Sequence, residues 1–318
     1  MILPGADQPL EYKDAPNPQA DSSEVVVHLK AAALNHRDLF IFKGQYAGLK
    51  FPCILGSDGS GVLSDGREVI VNPGLDWGND PRAQQKSFRI LGLPDDGTLA
   101  EQVKVPAQNI TAKPNHLTHA QAAALPLAGV TAFRALFSRA NLQKGERVLI
   151  TGIGGGVALF ALQFAVAAGA NVFVTSGSED KLARAKQLGA LGGANYKEAK
   201  WAEQLRELAG EFDVIVDGTA GDGLNQLCDV AVPGGRLVFY GATLGNPSQL
   251  AWRRIFWKQL NMLGSTMGTP ADFAAMVQFV TDNKIVPIVD QVFALTDANA
   301  ALQRMAAAEQ FGKIVLSI

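Results

Sequence analysis

The chain has 318 residues, of which 47% are hydrophobic and 18% are charged, a composition typical of folded rather than disordered proteins. Its 28 Lys and Arg and 30 Asp and Glu give a formal net charge of −2, so we expect no basic surface for nucleic acid. The two cysteines, Cys53 and Cys228, exclude a disulfide framework and a four-cysteine zinc cluster.

The chain length predicts two domains, at roughly 150 residues per domain. The most apolar stretch, residues 157–170, is too short and too interrupted to cross a bilayer. The opening residues lack the basic and apolar regions of an export signal. We therefore expect a cytoplasmic protein with no membrane partner.

Residues 1–118 are predicted to be rich in β-strands. Strands are expected over 25–29, 58–63 and 67–71, and Ser64-Asp65-Gly66 is a hairpin-turn signal between the last two. Residues 72–96 form a long polar segment, which in a compact domain is usually functional or mobile. Trp77 in this segment is expected either to wall a substrate pocket or to anchor the loop. Another strand ends at Pro106.

From residue 119 onward, strands and helices alternate. Apolar strands are predicted over 147–151, 171–175, 212–217 and 236–240, with helical stretches between them. This βαβ alternation predicts an α/β fold with a doubly wound parallel sheet over residues 119–266. Helices over 271–282 and 297–307 and strands over 291–295 and 313–317 close the chain.

The strongest chemical signal is a glycine-rich turn between the strand ending at Thr151 and the next helix. Backbone without Cβ atoms lets a pyrophosphate approach the helix N-terminus. Two registers fit the dinucleotide fingerprint, Gly-x-Gly-x-x-Val and Gly-x-x-Gly-x-x-Ala, and the second places a small residue at each required position. The expected pyrophosphate-binding residues are Gly152, Gly154, Gly155, Gly156 and Val157.

The residues after the second strand of this sheet indicate which dinucleotide binds. An NAD site usually places an acidic residue there for the ribose 2′-hydroxyl, whereas this strand ends in Ser176, Gly177 and Ser178. Lys181 follows one helical turn later and can pair with a 2′-phosphate. Glu179 and Asp180 weaken this interpretation unless they serve as first-turn acids of a helix capped by Ser178. We expect NADPH to be the cofactor.

Two further segments follow later strands at their carboxyl ends, where ligands bind in open α/β sheets. We expect cofactor contacts from Gly218, Thr219, Gly241, Ala242 and Thr243.

Several motifs in a fixed order resemble the medium-chain dehydrogenase/reductase superfamily, and within it the zinc-free, quinone-oxidoreductase-like branch. The motifs are Ala-Leu-Asn-His-Arg-Asp-Leu at 33–39, Gly-Gln-Tyr at 44–46, Gly-Ser-Asp-Gly-Ser-Gly at 56–61, Gly-Thr-Leu-Ala-Glu at 97–101, Leu-Pro-Leu-Ala-Gly-Val-Thr-Ala at 125–132, the glycine turn, Tyr-Gly-Ala-Thr at 240–243 and Gly-Lys-Ile-Val-Leu at 312–316.

The resemblance implies a GroES-like β-barrel catalytic domain formed by residues 1–118 and 267–318, with a Rossmann domain over 119–266. It implies that Lys181 and Tyr196 bracket the 2′-phosphate of NADPH and that Thr131 contacts the cofactor. By analogy with the family, the last sheet strand is expected to pair with its twin in a homodimer.

The resemblance also implies that the metal ligands of zinc alcohol dehydrogenases are missing. Asn35 replaces the first cysteine, Ser57 the histidine and Asp58 the glutamate, and a residue near Leu127 replaces the second cysteine. Residues 75–100 carry none of the four cysteines of a structural zinc lobe. No metal is therefore expected.

Without a Lewis acid, reduction of a quinone or a conjugated C=C bond is easier to support than alcohol oxidation. The expected hydrogen-bond donors are Asn35, Tyr46 and Ser57, and Asn35 is also a candidate for the nicotinamide ribose. Structural roles are expected for Arg37, as a solvated ion-pair partner, and for Asp38, at a helix start.

The sequence thus favours an NADPH-dependent, zinc-independent oxidoreductase acting on quinones or α,β-unsaturated carbonyls. Two alternatives stay open at this point. One is an alcohol or aldehyde dehydrogenase of the same superfamily, and the other is a weakly catalytic NADPH-binding redox sensor.

Overall fold

A computed structural model describes all residues, 1–318. The strands are β1 (Ile2–Leu3), β2 (Glu24–Ala33), β3 (Cys53–Ile54), β4 (Asp58–Val62), β5 (Glu68–Val71), β6 (Gly74–Leu75), β7 (Arg89–Ile90), β8 (Gln102–Pro106), β9 (Ile110–Ala112), β10 (Arg147–Ile150), β11 (Asn171–Ser176), β12 (Gly192–Asn195), β13 (Phe212–Asp217), β14 (Ala231–Phe239), β15 (Asn261–Gly264), β16 (Val289–Ala294) and β17 (Lys313–Ser317).

The helices predicted over 271–282 and 297–307 are present with small shifts at their ends, whereas the helix at residues 252–257 was not predicted. The helices are α1 (His36–Phe42), α2 (His119–Ala124), α3 (Pro126–Phe133), α4 (Gly156–Ala167), α5 (Glu179–Gln187), α6 (Trp201–Ala209), α7 (Leu224–Val230), α8 (Trp252–Trp257), α9 (Pro270–Asp282) and α10 (Ala298–Ala306), with a π-helical turn at Arg134–Arg139.

The chain divides into two compact units. The first comprises residues 1–130 and 268–318, and the second comprises residues 131–267. The first unit contains a seven-stranded sheet. Six of its strands are ordered β16-β17-β2-β4-β5-β9, and the seventh, β8, pairs with residues 24–28 of β2. All of these pairs are antiparallel except β16 with β17. This is the expected GroES-like barrel.

The boundary between the units differs from the expected one at residue 119, because α2 belongs to the barrel. Ala123 and Ala124 on this helix are fully buried against Ala31, Ala33 and Val315 of the barrel strands. Small side chains let α2 pack closely on the sheet, so the unit ends only after residue 130. A composition change at 119 marks the start of helices but not the end of the domain.

The second unit is a six-stranded parallel sheet in the order β12-β11-β10-β13-β14-β15. From β10 the chain passes to β11 and β12 on one side of the sheet. It then returns to β13 beside β10 and continues through β14 and β15 on the other side. This confirms the predicted doubly wound sheet, and its switch point lies between β10 and β13, where such sheets bind ligands. The outer edge of β15 has no partner strand in this unit.

The long segment 72–96 is anchored rather than open. Strands β6 and β7 pair within it, and Arg89 forms ion pairs with Asp76 and Asp95. Trp77 is 3% exposed and its ring meets Phe88 edge-on at 5.2 Å. Of the two roles expected for Trp77, the structure shows the anchoring one.

None of the helices combines the length and the apolar character that crossing a membrane requires.

Candidate active site

Three strands of the barrel bring Asn35, Asp58 and Lys313 to the same end of the sheet. Ala33 at the end of β2 pairs with Asp58 at the start of β4 and with Val315 in β17. Since β2 and β17 are antiparallel, continuing this register by two residues places Lys313 opposite Asn35. Residues 278 positions apart in sequence are therefore neighbours in the fold.

The three side chains form a buried hydrogen-bonded cluster, which we call the Asn35–Asp58–Lys313 cluster. The Lys313 ammonium donates to Asn35 Oδ1 at 2.6 Å and to Asp58 Oδ2 at 3.0 Å. Asn35 Nδ2 donates to the same Asp58 oxygen at 2.9 Å. The exposed fractions are 7%, 0% and 4% for Asn35, Asp58 and Lys313. The second Asp58 oxygen accepts from the Leu127 backbone N–H at 2.8 Å.

This cluster leaves two N–H groups for another acceptor. An ammonium has three hydrogens and a side-chain amide has two, and the cluster uses two of Lys313 and one of Asn35. One hydrogen on each side chain is thus available to a negatively charged oxygen. In a buried setting, such donors stabilise developing charge more strongly than water does.

Asp38 fixes the backbone that carries Asn35. Its carboxylate accepts from the Asn35 N–H at 2.8 Å and from the Gly56 N–H at 3.2 Å, in the capping box that begins α1. Burial raises the pKa of Asp38 above its usual range. The helix-start role expected for Asp38 is the one that the structure shows.

His36 follows Asn35 at the start of α1 and is exposed. Displacement of water by the surrounding protein and the charge of Lys313 both lower its pKa.

Arg37 is buried, and the expectation of a solvated ion-pair partner is wrong. Its guanidinium donates to Ser57 Oγ at 2.7 Å and to the Leu91 carbonyl at 2.8 Å. It also lies over the Tyr46 ring, 5.1 Å from the ring centroid. Arg37 therefore connects α1 to the segment 72–96 and holds Tyr46 by a cation–π contact.

Ser57 lies in the same region, but its proton is already used. Its hydroxyl is fully buried and donates to the Leu91 carbonyl at 2.8 Å while it accepts from Arg37. A hydroxyl carries one proton, so this arrangement leaves none for a substrate.

In the parallel-sheet unit, the glycine turn follows β10 as predicted. Gly152 and Gly154 have φ of 64° and 123°, values that favour glycine, and Gly155 is the N-cap of α4. A Cβ built on Gly155 would find no atom closer than 4.0 Å. The turn therefore leaves open backbone at a helix N-terminus, as a pyrophosphate requires.

Asp217 ties the ends of the two central strands together. It accepts hydrogen bonds from the hydroxyls of Thr151 and Thr219 and from the N–H groups of Thr219 and Ala220. Tyr240 packs over Gly218, where an added Cβ would lie 2.5 Å from its ring. Burial and the Asp217 carboxylate raise the pKa of Tyr240 above its ordinary range.

The other expected cofactor residues in this unit lie in three places. The segment 241–243 contacts the end of β13, where Thr243 N–H donates to the Gly218 carbonyl at 3.3 Å. Thr131 is on α3 and is 5% exposed. Val157 lies in the first turn of α4.

The small residues after β11 lie beside cationic and hydroxyl side chains. A Cβ built on Gly177 would lie 2.8 Å from the Tyr196 hydroxyl oxygen, and one built on Gly154 would lie 2.9 Å from Cδ of Lys181. Ser178 caps α5 as expected, by accepting from the Lys181 N–H. The structure thus brings Lys181 and Tyr196 to the two glycine-containing turns.

Sequence reasoning did not assign the roles of Lys313, Asp217 and Lys197. Lys313 stands in the quoted motif Gly-Lys-Ile-Val-Leu, which signals a strand but not its neighbours. Asp217 was noted only as a strand end, although an acid closing an apolar strand beside a glycine is a signal for such a tie. Lys197 follows Tyr196 directly in the sequence.

Two family models match the chain. A model described as "Alcohol dehydrogenase GroES-like domain" covers residues 21–115, and one described as "Zinc-binding dehydrogenase" covers 156–282. The zinc-type alcohol dehydrogenase-like protein YogA of Leptosphaeria maculans is 34% identical over 98% of this chain and 95% of its own length. The chain belongs to the medium-chain dehydrogenase/reductase superfamily.

Other relatives from this superfamily carry different names. A crystal structure of an NAD-dependent alcohol dehydrogenase is 36% identical with a TM-score of 0.94, over 100% of this chain and 98% of that one. Quinone oxidoreductase-like protein 2 of Bos taurus is 26% identical over 98% of this chain and 90% of its own. Acryloyl-coenzyme A reductase of Sulfurisphaera tokodaii is 25% identical over 99% of this chain and 98% of its own length. This chain is accordingly an oxidoreductase of a nicotinamide-dinucleotide-dependent family.

The side chains at the positions of the family's catalytic zinc ligands do not fit zinc. Asn35 and Ser57 are not usual zinc ligands, and the Lys313 ammonium lies on Asp58. No three His, Cys, Asp or Glu side chains are arranged to hold a metal ion.

Breaking the buried ion pair on one side should cost much more than removing both charges. We expect Asp58→Ala to lower the free energy of unfolding by about 3–5 kcal/mol, because it leaves the Lys313 ammonium buried without a counter-charge. The double variant Asp58→Ala, Lys313→Met should recover a large part of this loss. Urea denaturation measures both, and equal instability of the single and double variants would contradict the pairing.

Proposed function

We propose that this protein is an NADPH-dependent, zinc-independent reductase of quinones or α,β-unsaturated carbonyls. The observation that carries the proposal is the Asn35–Asp58–Lys313 cluster, in which a buried ammonium and an amide each keep one N–H group for an acceptor. By the family resemblance, this cluster lies where zinc dehydrogenases hold their metal. A cation of fixed charge is thus retained there, although the residues are not metal ligands.

NADPH, when bound, would supply the hydride for the far carbon of a conjugated substrate. The substrate oxygen then gains negative charge as an enolate or phenolate, and the site must stabilise that charge and deliver one proton. The spare N–H groups of Asn35 and Lys313 supply hydrogen bonds of the kind that an oxyanion needs. Asp58 holds both donors in place, since it accepts from each of them.

The proton is assigned to water or to Tyr46. A tyrosine hydroxyl can donate a hydrogen bond, so Tyr46 is a candidate donor to the substrate oxygen. Its ring is held by Arg37, which in turn binds Ser57. We therefore assign Ser57 to positioning Arg37 and the segment 72–96, and keep Asn35 and Tyr46 as the candidates for substrate contact.

The NADPH preference rests on the residues after β11. Ser176, Gly177 and Ser178 offer no carboxylate to a ribose 2′-hydroxyl, while Lys181 and Tyr196 lie beside the adjoining turns. Glu179 is held by Asn195, whose Nδ2 donates to its carboxylate at 2.8 Å. The similar crystal structure named as NAD-dependent makes the direct comparison of the two cofactors necessary.

Fluorescence titration should give at least tenfold tighter binding of NADPH than of NADH. Lys181→Ala should weaken NADPH by about 1–3 kcal/mol, the range for charge-assisted hydrogen bonds, and leave NADH nearly unchanged. Lys186→Ala on the same helix is the matched control and should have no effect. Equal losses for both cofactors in Lys181→Ala would contradict the 2′-phosphate assignment, and preferential NADH binding would favour an alcohol dehydrogenase.

Steady-state kinetics with a panel of quinones and enones tests the chemistry. We expect Asn35→Ala to lower kcat by about 10²–10³-fold, the usual loss for an oxyanion donor. Tyr46→Phe keeps the ring contact with Arg37, so any loss of kcat reports the hydroxyl alone. Tight NADPH binding by the unaltered protein without turnover of any acceptor would instead favour a redox sensor.

A further inference from the structure

Lys197 lies beside the same glycine as Tyr196. A Cβ built on Gly177 would be 2.8 Å from Cε of Lys197, the same distance as from the Tyr196 hydroxyl oxygen. The two neighbouring side chains therefore both fold back over the turn that ends β11. No hydrogen bond or ion pair to protein occupies the Lys197 ammonium, and the residue is exposed.

Asn195 organises this arrangement through both ends of its amide. Its Oδ1 accepts from the Lys197 backbone N–H at 3.1 Å, which forms a local turn of the Asx type. Its Nδ2 donates to the Glu179 carboxylate at 2.8 Å. One side chain thus turns Lys197 toward Gly177 and restrains the acid that begins α5.

We propose that Lys197 is a third side chain binding the 2′-phosphate, with Asn195 as its positioning residue. The proposal rests on the NADPH dependence proposed above and adds specificity residues to that site. Lys181 on the Gly154 side and Lys197 on the Gly177 side offer two positive charges to a phosphate monoester, whose charge is about −1.5 to −2 at neutral pH. Tyr196 contributes a hydroxyl beside Gly177.

Restraint of Glu179 is the second part of the selectivity. Its position in the first turn of α5 is favourable for the helix, but a free carboxylate beside a phosphate repels it. The same carboxylate, if released, is an acceptor for the ribose 2′-hydroxyl of NADH. Asn195 therefore lowers the affinity for NADH as well as raising the affinity for NADPH.

Three small ligands separate the phosphate contacts from the rest of the cofactor. Calorimetric binding of 5′-ADP, 2′,5′-ADP and 3′,5′-ADP to the full-length protein should rank 2′,5′-ADP as the tightest. Lys197→Gln should weaken 2′,5′-ADP about tenfold, the loss of one charge-assisted contact, and leave 5′-ADP unchanged. Lys197→Arg should keep most of the affinity, and Lys200→Gln, which removes the same charge three residues later, should have no effect.

Asn195→Ala should also weaken 2′,5′-ADP selectively, and adding Glu179→Gln should restore part of the loss. An unchanged affinity for 2′,5′-ADP in Lys197→Gln, or an equal loss for 5′-ADP, overturns the assignment of Lys197. If the unaltered protein binds 2′,5′-ADP no tighter than 5′-ADP, the NADPH proposal itself fails.

Discussion

The hydrogen-bonded ion pair between Lys313 and Asp58 organises the barrel unit. It joins a strand near the end of the chain to one that lies 255 residues earlier. Both charges are buried, so neither side chain is stable there without the other. Asn35 completes the pair by accepting from the lysine and donating to the aspartate.

The neighbouring residues keep these three side chains in place. Asp38 holds the Asn35 backbone through the helix cap, and Arg37 in the same turn binds Ser57 and the segment 72–96. The residues 35–38 therefore have distinct tasks although they are consecutive. Ser57, a hydrogen-bond donor on sequence grounds, is assigned to positioning because its hydroxyl accepts from Arg37 and donates to the Leu91 carbonyl.

In the parallel-sheet unit, the proposed cofactor selectivity depends on small residues in two turns and on a hydrogen-bonded carboxylate. Glycines at 152 and 154 adopt backbone conformations that other residues reach only with strain. The turn at 176–178 stays uncharged, and Lys181, Tyr196 and Lys197 lie beside these turns. The proposed preference for a phosphorylated ribose rests on these two cations and on the hydrogen bond that holds Glu179.

Much of the fold is predictable from local pattern. The strand before the glycine turn, the helix after it and strands β11, β13 and the end of β14 follow from periodicity and turn residues, whereas the glycine-rich β12 does not. The placement of α2 on the barrel was not predictable this way. A row of buried alanines shows that a helix packs closely on another element but not which domain that element belongs to. Local patterns also gave no sign that Arg37 is buried.

The cluster itself was only half predictable. Asn35 and Asp58 stand in motifs where the family resemblance expects metal ligands, so the sequence singles them out. Lys313 lies in an ordinary strand, and only the pairing of β17 with β2 places it beside them. Such long-range pairing is a property of topology rather than of any sequence window. Lys197 was missed for a related reason, since only the fold shows that it turns back over Gly177.

We propose that the Lys313 ammonium, and not a metal ion, provides the positive charge beside Asp58 and Asn35. The most direct test is the zinc content of the purified, catalytically active protein, measured by inductively coupled plasma mass spectrometry after expression in zinc-supplemented medium. We expect far less than one zinc ion per chain. Stoichiometric zinc that is lost together with activity on chelation would contradict the claim.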